Sequence, residues 1–130
     1  MILQTTLSLA AAAAVLNFWL GLRIAKVRMS EKILHGDGEN AVLLRRMRAQ
    51  ANYVENTPFI LILIAVIEMS GKGGQWLAIA GAIYLLARIA HAFGMDLEKP
   101  SALRAGGFIV TVLALLGLSG VAVLIALGRL

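Results

Sequence analysis

The sequence predicts an all-α fold, an integral membrane four-helix bundle, and two observations carry that reading. The composition is 60% hydrophobic and 15% charged, with a mean hydropathy of +0.85, whereas soluble domains carry about 25% charged residues. The charges are also clustered. The first 22 residues have none, 49–69 has only Glu55 and Glu68, and 104–128 has nothing after Arg104.

Four apolar stretches remain between the clusters: Leu3 to Leu22, Ala49 to Met69, Trp76 to Met95 and Gly106 to Leu127. Each approaches or exceeds the ~20 residues that a helix needs to cross a hydrocarbon core of about 30 Å. Backbone groups in lipid must satisfy one another, and barrel strands would be about half as long and would alternate, so these are helices. Residues 1–130 are therefore read as a single domain of four transmembrane helices.

The first span is rich in small residues at Ala10 to Ala14, as a secretory signal can be. It lacks a basic lead-in, and its apolar run exceeds the roughly 7–15 residues of a signal, so it is kept as a membrane helix. Arg23 to Leu34 contains no Gly or Pro. The first helix is thus expected to run on past the membrane and to break at Gly36-Asp37-Gly38, with the second starting near Asn40. Ser70 to Gln75 is short enough to make spans two and three an antiparallel hairpin, and Pro100-Ser101 separates spans three and four.

The net charge of +5 is distributed by side rather than spread over a nucleic-acid-binding face. Arg23, Lys26, Arg28, Lys32, Arg45, Arg46 and Arg48 lie between spans one and two, and Lys99 and Arg104 between three and four; the other side has only Lys72 and Arg129. The positive-inside rule puts both basic connections in the cytoplasm and both termini opposite. No nucleic-acid partner is expected. There is no cysteine, which removes disulfides, thiolate metal sites and a cysteine nucleophile; no metal site is predicted.

Ionisable groups inside a bilayer cost about 2.5 to 3.5 kcal/mol each on insertion scales, so each calls for a reason. Arg45, Arg48, Asn52 and Glu55 are spaced three, four and three apart, which places them on one face of the second helix. Tyr84, Arg88, His91 and Met95, spaced four, three and four apart, make a similar stripe on the third. Antiparallel helices bring Glu55 and Arg88 level, where they either form a structural ion pair or belong to a shared pocket. The whole polar set, opening toward the cytoplasm, reads as a pocket for a polar ligand that also meets lipid. Guanidinium groups suit carboxylates, Glu55 suits an ammonium, and Asn52 can donate or accept. A small zwitterionic peptide of net negative charge fits; if it carries a thiol, with an ordinary pKa of about 8.5, a nearby Arg favours the thiolate. Elsewhere, Glu68 reads as an interfacial charge, Asn17 as a helix–helix hydrogen bond, Trp19 and Trp76 as interface anchors or packing, and His35 as solvated.

The segment Arg48-Ala49-Gln50-Ala51-Asn52-Tyr53-Val54-Glu55-Asn56-Thr57-Pro58 resembles the signature of the MAPEG family, the membrane-associated proteins in eicosanoid and glutathione metabolism. The likeness extends to Arg28, to the Gly36-Asp37-Gly38 turn and to Arg88-Ile89-Ala90-His91 with Gly94, and the short bacterial members look most similar. The resemblance implies a four-helix protomer of a homotrimer in a bacterial inner membrane, with glutathione held between subunits near the cytoplasmic side. It assigns glutathione binding to Arg28, Arg48, Asn52 and Glu55, a contribution across the interface to Gln50, a ligand contact to His91, and thiolate stabilisation to Arg104. Arg88 joins the binding set through its stripe. Met95 and Asn56 stand where several members have tyrosines, and Ala105 follows Arg104 where others have a hydroxyl.

The expected activity is a glutathione-dependent transferase or peroxidase, of the microsomal glutathione S-transferase type, acting on hydrophobic electrophiles from the lipid. The alternative is a non-catalytic membrane module that holds a thiol or a lipid head group. A small four-helix multidrug exporter would carry a membrane-embedded Glu in its first helix, and span one has no acidic residue.

Overall fold

A computed structural model describes residues 1–130 as four helices: α1 (Gln4–Glu31), α2 (Ala41–Met69), α3 (Gln75–Asp96) and α4 (Ala102–Ala126). All four are long and apolar enough to cross a membrane, and the chain is a multi-pass integral membrane protein. At about 1.5 Å per residue, the 28 residues of α1 and the 29 of α2 reach about 42 Å, further than the hydrocarbon core, so both project beyond its basic side.

The ends follow local chemistry. α1 stops where Lys32 adopts a left-handed backbone, φ 55°, before the Gly36-Asp37-Gly38 turn. Arg28 holds that turn by donating from Nη1 to the Gly36 carbonyl at 2.8 Å. α2 is capped by Asn40, whose Oδ1 accepts from the Leu43 N–H at 2.9 Å, and α4 by Ser101, whose Oγ accepts from the Arg104 N–H at 3.2 Å. Both caps satisfy donors that a helix start otherwise leaves orphaned.

α2 and α3 form the middle of the bundle. α1 packs on α2 and more lightly on α3, α4 packs on α3 and α2, and α1 and α4 do not touch. Leu9, Ala13, Leu16 and Leu20 put one stripe of α1 into a core shared with Tyr53, Ile60, Ile64 and Ile67 of α2 and with Leu77, Tyr84 and Leu85 of α3. α4 buries only Gly107, Thr111 and Leu118.

Lipid tails are as apolar as the side chains, so packing and interhelical hydrogen bonds must hold such helices together. Tyr53 Oη donates to the Ala13 carbonyl at 2.6 Å, and the Thr57 and Tyr84 hydroxyls meet at 2.8 Å. Asn17 does bond across helices, accepting from Gln50 Nε2 at 3.4 Å. Glu68 is more than an interfacial charge. Its carboxylate accepts from the Thr5 and Thr6 N–H groups at 2.9 and 2.8 Å and from the Thr6 hydroxyl at 2.7 Å, so the end of α2 caps the start of α1. At the basic end Arg23 pairs with Asp96, stacks over the Trp19 and Phe93 rings, and accepts on its carbonyl from Arg46 Nη1 at 2.9 Å.

Candidate functional site

A cavity of about 670 Å³ opens at the basic end between α2, α3 and α4. Arg48 and Asn52 supply its α2 wall, and His91 and Met95 its α3 wall. These are the adjoining turns of the two stripes, each four residues apart. Pro100 and Ser101 of the connection, followed by Arg104, Ala105 and Phe108 of α4, close it.

Arg104 arrives there because α3 and α4 approach almost backbone to backbone. A Cβ on Gly94 would run into the Arg104 backbone nitrogen. One on Gly107 would lie 2.6 Å from the Ala87 carbonyl oxygen and 2.5 Å from His91 Cβ. With hydrogen at both positions, the chain turns back after Pro100 and the first turn of α4 lies over the end of α3.

Behind the cavity wall sits Arg88, 2% exposed and with no carboxylate within 4.0 Å. Its Nη1 donates to Thr111 Oγ1 at 2.9 Å, its Nη2 donates to Asn52 Oδ1 at 2.6 Å, and Nη2 also lies 3.4 Å from His91 Nδ1. A guanidinium only donates, so the carbonyl oxygen of Asn52 is occupied and its NH₂ is what it can offer a guest. By the same reasoning Nδ1 of His91 acts as acceptor, which assigns the proton to Nε2. Arg48, Arg104, Asn52 and His91 thus present donors, and no carboxylate lines the cavity. An anion is the complementary guest.

Four expected contributors, Glu55, Arg28, Gln50 and Arg45, lie elsewhere in this chain. Glu55 does not pair with Arg88; it is exposed on the outer face of α2. Equal depth does not give equal direction. Three residues turn a helix by about 300°, so Glu55 sits about 60° round α2 from Asn52, which takes the guanidinium instead. Arg28 is turned to the Gly36 carbonyl and lies 3.6 Å from Met47 Sδ. Gln50 faces α1 through Asn17. Arg45 is half-buried but off the cavity wall. Asn56 is folded onto its own helix, donating to the Asn52 carbonyl at 2.7 Å.

Ser101, Phe108 and Thr111 were not singled out from sequence. Ser101, three residues before Arg104, has the spacing of a helix cap. Thr111 is an isolated polar residue in a long apolar span; it back-bonds to the Gly107 carbonyl at 2.8 Å while accepting from Arg88.

The sequence model of the MAPEG family matches residues 6–124. The chain is 28% identical over 85 residues to the Inner membrane protein YecN of Escherichia coli strain K12, an alignment covering 65% of each chain. The protein of that name from Escherichia coli O6:H1 gives the same figures. The aligned part thus spans just under two thirds of the length of these relatives.

Proposed function

The chain belongs to the MAPEG family, and from that membership and the donor-lined cavity we propose that it is an inner-membrane glutathione transferase or peroxidase acting on hydrophobic electrophiles that arrive through the bilayer. The observation that carries the proposal is uncompensated positive charge. Arg48 and Arg104 line the cavity, Arg88 is buried behind it, and no acid faces any of them.

Glutathione fits this donor set, because it brings two carboxylates, peptide carbonyls and an ionisable thiol. Bound there, it supplies a thiolate nucleophile. Arg48 anchors a carboxylate through a charge-assisted pair, and the Asn52 NH₂ and His91 Nε2–H meet peptide or carboxylate oxygens. Arg104, in the first turn of α4, adds its charge to the positive end of the helix dipole and holds the thiol in its ionised form. Arg88 positions Asn52 and His91 rather than touching the guest. Phe108 and Ala105 give the cavity an apolar side on which a lipid-borne electrophile can rest while the protein orients it.

The homotrimer is part of the proposal. Glu55, Phe59, Ile62, Val66 and Met69 form an exposed seam along α2 with spacings of four, three, four and three, the pattern of a helix that packs on a copy of itself. Glu55 is an ionisable group left on the outer face of a membrane span, a costly position unless another subunit covers it. A neighbouring subunit would thereby supply the carboxylate that the ammonium of glutathione lacks within one chain.

Met95 stands in the cavity wall where a phenol would help the thiolate, and this favours the second reading, a binder without turnover. Calorimetry in detergent with glutathione, using Arg48→Ala as control, tests the binding. A conjugation assay with a chromogenic electrophile then separates the two readings.

A further inference from the structure

The second large cavity is a groove of about 660 Å³ between α1 and α3, walled only by apolar residues. Ala11, Ala12, Val15, Leu16 and Trp19 form its α1 side, and Ile89 and Phe93 its α3 side. The two helices run parallel and touch at both ends of it. Leu9 is pressed against Gly81 at one end, and the Trp19 and Phe93 rings lie 5.4 Å apart at the other. Between these contacts Ala11 and Ala12 leave little side-chain bulk on α1, and the groove opens there.

From Ala11 to Trp19 is about 12 Å of helix, close to the thickness of one leaflet of a hydrocarbon core about 30 Å deep. It is also the basic-side half of the first span, so the groove lies in the cytoplasmic leaflet. Its rim is charged. Asp96 is matched by Arg23 and by Arg46, whose Nε lies 3.6 Å from it, while Lys26, exposed on the face of Trp19 seven residues further on, has no carboxylate within 4.0 Å. Lys26 is therefore left as an unpaired cation about two turns beyond Trp19, on the groove's side of α1.

We propose that this groove is a binding site for an anionic phospholipid of the cytoplasmic leaflet, with one acyl chain between α1 and α3 and the phosphodiester head group at Lys26. The guest of the donor-lined cavity is not its occupant, because His91 and Ile89 differ by about 200° around α3 and so face opposite ways. Nor does the α2 seam use it. α1, α2 and α3 touch one another in a triangle, with the seam on its α2 vertex and the groove on the opposite side.

Trp19 is a built-in reporter. In a Trp76→Phe background it is the sole tryptophan, and in vesicles of dibrominated phosphatidylcholine its fluorescence is quenched by the acyl chain beside it. Replacing part of that lipid with unbrominated phosphatidylglycerol should restore emission more steeply than mole-fraction dilution, with an apparent preference of about fivefold, the effect of one lysine on an anionic head group. Lys26→Gln should abolish the preference, and Ala12→Phe should fill the groove and abolish both the preference and most of the quenching. Recovery that follows mole fraction alone would mean bulk lipid only, absence of quenching would mean a protein partner covers the groove, and an unchanged preference in Lys26→Gln would mean the rim charge is irrelevant. Any of these overturns the proposal. Lys26 is exposed, so its substitution remains informative even if Ala12→Phe fails to fold.

Discussion

The buried guanidinium of Arg88 and the amide oxygen of Asn52 meet at 2.6 Å across the α2–α3 contact, and no carboxylate shares the bond. A cation in a membrane interior is held here by neutral acceptors alone, Asn52 and Thr111 as oxygens and His91 as a ring nitrogen. That arrangement leaves its positive potential directed at whatever occupies the cavity in front.

Replacing Asn52 by Asp should put a carboxylate against Arg88. Thermal unfolding in detergent should shift upward, because the cation gains a counter-charge, while affinity for glutathione falls by tenfold or more as the cavity loses net positive charge. Asn52→Ala should instead lower stability by about 1–3 kcal/mol, the cost of an orphaned buried donor. If the two variants behave alike, the potential argument fails.

Arg48→Ala and Arg104→Ala should separate anchoring from ionisation. Both remove a charge that faces the cavity. Calorimetry should record a loss of affinity of about tenfold or more for Arg48→Ala, each charge-assisted bond being worth roughly 1.5–3 kcal/mol. Arg104→Ala should lose most of the ultraviolet absorbance of bound thiolate and the conjugation rate, with a smaller change in affinity.

Gly107→Ala should force α4 away from α3, because its methyl would meet the Ala87 carbonyl oxygen at 2.6 Å. A stability loss of about 1–3 kcal/mol is expected from overpacking, together with weaker glutathione binding as Arg104 is displaced. Gly106→Ala, where a Cβ has open space, is the matched control and should change neither.

Glu68→Gln should fray the start of α1 without touching the cavity, which lies at the other end of the bundle. Hydrogen exchange at Thr5 and Thr6 should accelerate, reflecting a cap worth about 1 kcal/mol. Glutathione affinity should stay within a factor of two.

Ile62→Arg places a charge in the middle of the exposed α2 seam. Light scattering in detergent should then report monomers in place of trimers. A wild-type chain that is itself monomeric would remove the assembly part of the proposed function and the role of Glu55 with it.

Much of this protein was legible in the order of its residues. The uncharged first 22 residues and the gaps after Arg48 and Arg104 set the four spans. Transfer of each segment to lipid is a sum over its own side chains, which is why such features survive without knowledge of the neighbours. The stripes Arg48–Asn52 and Arg88–His91 were equally readable, since the helical repeat is a property of one helix. What tertiary structure alone decided is how far each helix is turned about its axis and how closely the axes approach. That rotation gave Arg88 to Asn52 and Thr111 and sent Glu55 outward, and the Gly94 and Gly107 contacts brought Arg104 to the cavity. Depth is additive along a chain, whereas rotation and spacing emerge only when complementary faces pack against one another.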